Sequence, residues 1–173
     1  MKKKRIFVGI FLSLYLFFVM NPFGIRYTKW IFFNSTDSLP IGIYISIPNF
    51  GLRNGDMVAF YADDEVYDFA FSHKYIDEGQ ELPCLLKYVE TAGHTYDITD
   101  HGFFIDNTYI GDIARYDSAG NFLPQQPLGH HVVQPGEIIS YTMNSRSFDS
   151  RYFGPVKTSR IQTRIIPLLT FSF

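Results

Sequence analysis

Three stretches of the chain hold side chains able to do chemistry together. Ser38 stands in Asn34-Ser35-Thr36-Asp37-Ser38-Leu39-Pro40-Ile41-Gly42-Ile43-Tyr44, and Lys87 in Pro83-Cys84-Leu85-Leu86-Lys87-Tyr88-Val89. Asp149 and Arg151 lie in Ser147-Phe148-Asp149-Ser150-Arg151-Tyr152-Phe153-Gly154. A serine hydroxyl attacks a carbonyl only when it is exposed, held by stiff backbone and set beside a base. Pro40 fixes its own φ and pushes Leu39 towards an extended conformation, while Gly42 lets the chain turn into a strand, so the local sequence supplies stiffness and exposure. The competing reading of Ser38 is a turn serine ahead of a proline.

The base must come from elsewhere, and Lys87 is the candidate. A free lysine has a pKa of about 10.4, so only about one in a thousand is neutral near pH 7.4. Lowering that pKa to about 7 takes roughly 4 kcal/mol of differential destabilisation of the ammonium, which burial among apolar side chains supplies. Leu85, Leu86, Tyr88 and Val89 are the right neighbours. The other reading of Lys87 is a charge that keeps an edge strand from pairing with foreign chains. Asp149 and Arg151 similarly read as a surface ion pair worth less than about 1 kcal/mol. Taken together, hydroxyl and amine fit a Ser-Lys dyad working through a covalent acyl intermediate.

The elements that must bring these residues together come from a chain of 173 residues, 46% hydrophobic and 18% aromatic, enough for one core with or without a membrane segment. A net charge of -2 and a pI near 6.2 argue against a nucleic-acid partner. Cys84 is the only cysteine, so no disulfide forms within the chain, and no Cys-His pattern makes it a nucleophile. His130-His131 would point to opposite faces of a strand with no carboxylate set beside them, so neither metal nor cofactor is expected.

Met1–Arg5 is basic, and the 20 residues Ile6 to Ile25 carry no charge. At about 1.5 Å per residue they cross a hydrocarbon layer of about 30 Å. No Ala-x-Ala-like site follows, which favours a retained transmembrane anchor over a cleaved leader. The basic start should stay cytoplasmic, dividing the chain into residues 1–25, the anchor, and residues 26–173, an extracytoplasmic domain. Tyr27, Trp30, Phe32 and Phe33, interleaved with Arg26 and Lys29, suit an interfacial belt. Beyond it the pattern predicts strands over Gly42–Ile47, Met57–Tyr61 and Ile138–Met143, and a short helix within Asp63–Ile76. A hairpin is expected over Phe103–Ile110 turning at Asp106-Asn107, with a loop from Tyr116 to His131. Arg160 and Arg164 read as solvated.

The serine motif just past an apolar segment, the Leu-Lys strand and the Ser-x-Asp-Ser-Arg-Tyr-Phe-Gly block resemble the type I signal peptidases, a family of Ser/Lys proteases. The likeness extends to its TraF-like, pilin-processing branch. The resemblance implies a mainly β, barrel- or ribbon-like catalytic domain behind one N-terminal transmembrane helix, on the periplasmic side of a bacterial inner membrane. It implies a membrane-anchored serine endopeptidase with Ser38 as nucleophile and Lys87 as base. Thr36 would help hold the oxyanion, Asp149 and Arg151 would brace the site, and Ser150 would hydrogen-bond the lysine. The implied partners are precursor proteins, conjugative pilins among them, and membrane lipid. Three positions depart from the pattern: Tyr88 where an arginine is usual, Thr91-Ala92-Gly93-His94 for Leu-Pro-Gly-Asp, and Met143-Asn144-Ser145 for Gly-Asp-Asn. A housekeeping signal peptidase and a non-catalytic, membrane-tethered assembly protein of a secretion system are the alternatives.

Overall fold

The computed structural model describes residues 30–48, 51–76 and 82–171, with Gly9 and Ser13 as isolated positions. Apart from those two, the expected anchor over Ile6–Ile25 falls outside the described residues, among which no helix is long and apolar enough to cross a membrane. The chain enters on a hairpin of β1 (Ile31–Asn34) and β2 (Ile41–Ile47), then runs through β3 (Asp56–Phe60), α1 (Asp64–Ser72) and β4 (Leu85–Thr91). A meander of β5 (Thr95–Thr99), β6 (Gly102–Ile105) and β7 (Thr108–Gly111) follows, then β8 (Gly129–Val132) and β9 (Glu137–Tyr141). A single helical turn, α2 (Ser150–Phe153), leads to β10 (Val156–Lys157) and the long β11 (Ile161–Phe171).

These strands form a seven-stranded antiparallel sheet in the order β1-β2-β11-β3-β4-β9-β10 and a four-stranded sheet in the order β7-β6-β5-β8. The fold is mainly β, as the pattern predicts, but among the described residues no barrel closes. β10 is only two residues long, and after the 3-10 turn Thr158–Arg160 the chain returns as β11 between β2 and β3, so the outer strands β1 and β10 never meet.

Three packed clusters hold the sheets. Tyr67 of α1 joins Val58, Phe60, Val89 and Ile138 in one cluster; Tyr96, Phe103 and Val133 lie with Ile139; Phe32, Leu39, Tyr44, Leu86 and Ile165 form the third. Phe32 therefore corrects the expected aromatic belt. The period of two along β1 turns it inward against Tyr44 while Ile31 and Phe33 face out. Gly42 answers a close approach: a Cβ there would lie 2.1 Å from the Leu169 carbonyl oxygen of β11. The two late arginines are paired, not solvated. Arg160 reaches Asp63 at the start of α1, and Arg164 reaches Asp56 on β3, each at 2.8 Å.

Candidate active site

Residues 35–40 join β1 to β2, and the side chain of Asn34 lies inside that loop. Its Nδ2 donates to the carbonyls of Thr36 (2.8 Å), Leu39 (2.7 Å) and Pro40 (3.2 Å), and its Oδ1 accepts from the Thr36 N–H (3.3 Å) and hydroxyl (2.9 Å). The Tyr44 hydroxyl donates to the Pro40 carbonyl at 2.7 Å, and Asn144 Nδ2 to the Asp37 carbonyl at 3.0 Å. Leu39, 3% exposed, anchors the loop in the core immediately after Ser38. A hydroxyl on this loop has a fixed backbone on both sides.

Lys87 comes from another strand, β4. Its Nζ lies 2.9 Å from Ser38 Oγ and 2.5 Å from Ser147 Oγ, and the residue is only 3% exposed. Burial lowers the lysine pKa from an ordinary 10.5 to about 8; the nearby Asp149 carboxylate opposes that shift and the Arg151 guanidinium adds to it. A neutral amine has two N–H bonds and one lone pair, so it can donate to one of these hydroxyls while accepting from the other. The edge-guard reading of Lys87 does not fit a side chain facing inward beside Ser38.

Asp149 and Arg151 are both fully buried, which removes the surface-pair reading. Arg151 uses all five of its N–H donors: Nε and Nη2 on the Asp149 carboxylate (2.8 and 3.2 Å), Nη2 on the Thr142 carbonyl (2.8 Å), and Nη1 on the carbonyls of Asp112 and Ser145 (3.2 and 3.4 Å). Burial pushes the Asp149 carboxyl up and the adjoining Arg151 pulls it back. Its oxygens accept from four N–H groups, two on the Arg151 side chain and the backbone N–H groups of Thr142 and Arg151, and this donor set favours the ionised form. Ser150 is corrected: its hydroxyl bonds the backbone N–H and the hydroxyl of Ser140, at 2.8 and 2.9 Å, and the serine at the lysine is Ser147. Ser147 precedes α2 and Ser150 begins it, so the two hydroxyls three residues apart serve different neighbours. Ser147, Asn34 and Asn144 are the contributors that motif reading did not assign.

A cavity of about 500 Å³ opens at Ser38 and Lys87. Phe33 to Thr36 and Pro83 to Leu86 contribute to its lining, with Val66, Tyr67 and Ala70 of α1. Phe148, which lines the cavity, belongs to a stack of rings, His73 on Phe69, Phe69 on Phe148 and Phe148 on Tyr152, at centroid separations of 4.0, 5.4 and 5.6 Å. The Tyr67 hydroxyl donates to the Pro83 carbonyl at 2.7 Å, tying α1 to the entry of β4. β4 pairs with β9 only from Tyr88 onward, which leaves that side of Leu85–Lys87 without a strand partner. Thr36 lines the same cavity as Ser38, with its hydroxyl turned to Asn34. Among the described residues no group of three or more His, Cys, Asp or Glu side chains is placed to hold a metal; His130 bonds Asp97 and His131 stacks on Tyr96.

The sequence model of the signal peptidase family, peptidase S26, matches residues 3–169. The chain belongs to that family. Among its relatives is the plasmid transfer protein TraF of Escherichia coli, 30% identical over 156 residues that cover 86% of this chain and 88% of that protein. The conjugal transfer protein TraF of Agrobacterium fabrum is 26% identical over 148 residues, covering 80% and 81% of the two chains. A crystal structure of a signal peptidase I from Enterococcus faecalis aligns with a TM-score of 0.37 at 20% identity, over 66% of this chain and 96% of that one. Membership in the S26 family assigns this chain to the peptidases, and its relatives join it to proteins named for conjugal and plasmid transfer.

Proposed function

We propose that this signal peptidase family member is a membrane-anchored serine endopeptidase in which Ser38 and Lys87 form the catalytic dyad. The observation that carries the reading is a buried lysine amine 2.9 Å from a hydroxyl that also lines a cavity. Neutral Lys87 accepts the Ser38 proton as Oγ attacks a peptide carbonyl, and the resulting ammonium protonates the leaving amine. Ser147 receives an N–H of the amine and so turns its lone pair towards Ser38. Water then attacks the acyl-enzyme with Lys87 again as base. The Ser38 N–H and the Thr36 hydroxyl, once it turns from Asn34, hold the oxyanion, and loss of one such donor typically costs about 10²–10³ in kcat. Asp149 and Arg151 brace the wall behind the lysine.

Substrates are exported precursors, bound in extended form against the free flank of β4 with small side chains near the cleaved bond. The transfer-protein relatives favour a precursor of a conjugation system, such as a pilin, over the general pool of secreted proteins. Anchoring over Ile6–Ile25 would set the domain on the outer side of a bacterial inner membrane. The first hairpin suits that setting: Ile31, Ile45 and Ile166 form one cross-strand row, Phe33, Ile43 and Leu169 a second, and Ile41 and Phe171 a third. Phe33 in that face is 72% exposed and Phe171 50%.

Cleavage of precursor by the wild type, Ser38→Ala and Lys87→Ala in detergent tests the reading. Both variants should lose cleavage while remaining folded. Retained cleavage overturns the dyad, and a transfer system indifferent to Ser38→Ala favours a scaffold role. Equal turnover of general secretory precursors and of the cognate pilin would instead favour a housekeeping enzyme.

A further inference from the structure

Asn34 has no chemistry of its own, is 7% exposed and ends β1 opposite Gly42. All of its polar capacity is spent on the loop that carries Ser38. A carboxamide offers two N–H donors and an oxygen with two lone pairs. Here the donors serve three carbonyls, those of Thr36, Leu39 and Pro40, and the oxygen serves the N–H and the hydroxyl of Thr36. We infer that Asn34 is a positioning residue: its carboxamide is the template around which residues 36–40 wrap, fixing Ser38 and holding the Thr36 hydroxyl in a resting orientation that substrate displaces. This rests on the dyad proposed above.

No substitute reproduces the pattern. Aspartate keeps the acceptors but sets a carboxylate against three carbonyl oxygens, and alanine takes this partner from the Thr36 and Leu39 carbonyls and the Thr36 N–H, leaving the Pro40 carbonyl only the Tyr44 hydroxyl. Leu39 in the core and the Tyr44–Pro40 hydrogen bond still tether the loop, so losing the carboxamide should displace Ser38 without unfolding the domain. Lys87 stands on a separate strand and keeps its burial.

The test uses the full chain in detergent and an internally quenched peptide carrying an Ala-x-Ala segment. Asn34→Ala and Asn34→Asp should each lower kcat about a hundredfold, the loss expected from a displacement of about 1 Å at the reacting atoms, with KM little changed. The midpoint of the rising pH limb should stay where it is in the wild type. In a double-mutant cycle, Thr36→Val should cost less in the Asn34→Ala background than in the wild type, because the two side chains act as one unit. Wild-type kcat per folded molecule in both variants, or a loss recovered in full by cooling, overturns the inference. If Asn34→Ala does not accumulate, Asn34→Asp, of nearly equal volume, decides on the same readouts. Ser38→Ala in the same assay keeps the two readings apart: cleavage retained there defeats the dyad, whereas cleavage lost there but normal in both Asn34 variants defeats only the role of Asn34.

Discussion

A lysine buried beside two hydroxyls has opposite consequences for activity and for stability. The proposed dyad needs the neutral amine, so kcat/KM should rise with pH through about 8, where burial has brought Lys87. Stability follows the proton count: between about 8 and 10.5 the unfolded chain holds a proton on Lys87 that the folded chain lacks, so folding becomes more favourable as pH rises across that window. Below it both states are protonated and the burial penalty is complete, about 3 kcal/mol at roughly 1.4 kcal/mol per pH unit. Lys87→Met should therefore abolish cleavage, gain up to about that much stability at pH 7, and flatten the rise, as denaturant titrations at pH 7 and 10 would measure. The apolar flanks of Lys87 made this legible in the sequence. Ser147 and Asn34 were not legible in the same way, because a hydroxyl or a carboxamide takes its role from neighbours that only folding supplies.

Helix α1 is the element that shapes the cavity, through Val66, Tyr67 and Ala70. Ala70, 6% exposed, is the smallest of the three. Ala70→Phe should fill the space beside Ser38 and raise KM for a precursor peptide while leaving the pH midpoint near 8 unchanged, a split that steady-state kinetics across pH will reveal. Where local signals dominated, the elements followed the sequence. The hairpin turning at Asp106 and Asn107, with φ of 47° and 65°, is the case where turn chemistry sufficed, and Asp63 does precede the helix. β11 has no such signal: it pairs with β2 and β3, more than a hundred positions earlier, and carries a proline and a bulge between Pro167 and Leu169. β1 was masked by its own composition, since aromatic residues beside an apolar leader read as an interfacial belt until pairing with β2 sets their alternation.

Across the molecule, Arg151 joins what the two sheets hold apart. Its guanidinium lies 5.8 Å from the centre of the Phe103 ring on β6 and bonds the Asp112 carbonyl just beyond β7, while its carboxylate partner accepts from Thr142 just beyond β9. Arg151→Met should cost about 3–5 kcal/mol by leaving the Asp149 charge buried and unpaired, read as a fall in the denaturation midpoint. Because Phe103 of β6 and the Asp112 carbonyl beyond β7 belong to this network, hydrogen exchange in β6 and β7 should speed up with it. The outward face of the first hairpin bears on handling instead. Ile31, Phe33, Leu169 and Phe171 belong to the β-domain, so a chain trimmed to begin at Trp30 keeps them all. Such a fragment should still need surfactant to stay monodisperse and should float with liposomes in a density gradient, its greasiness being a property of the folded sheet as well as of the apolar run Ile6–Ile25.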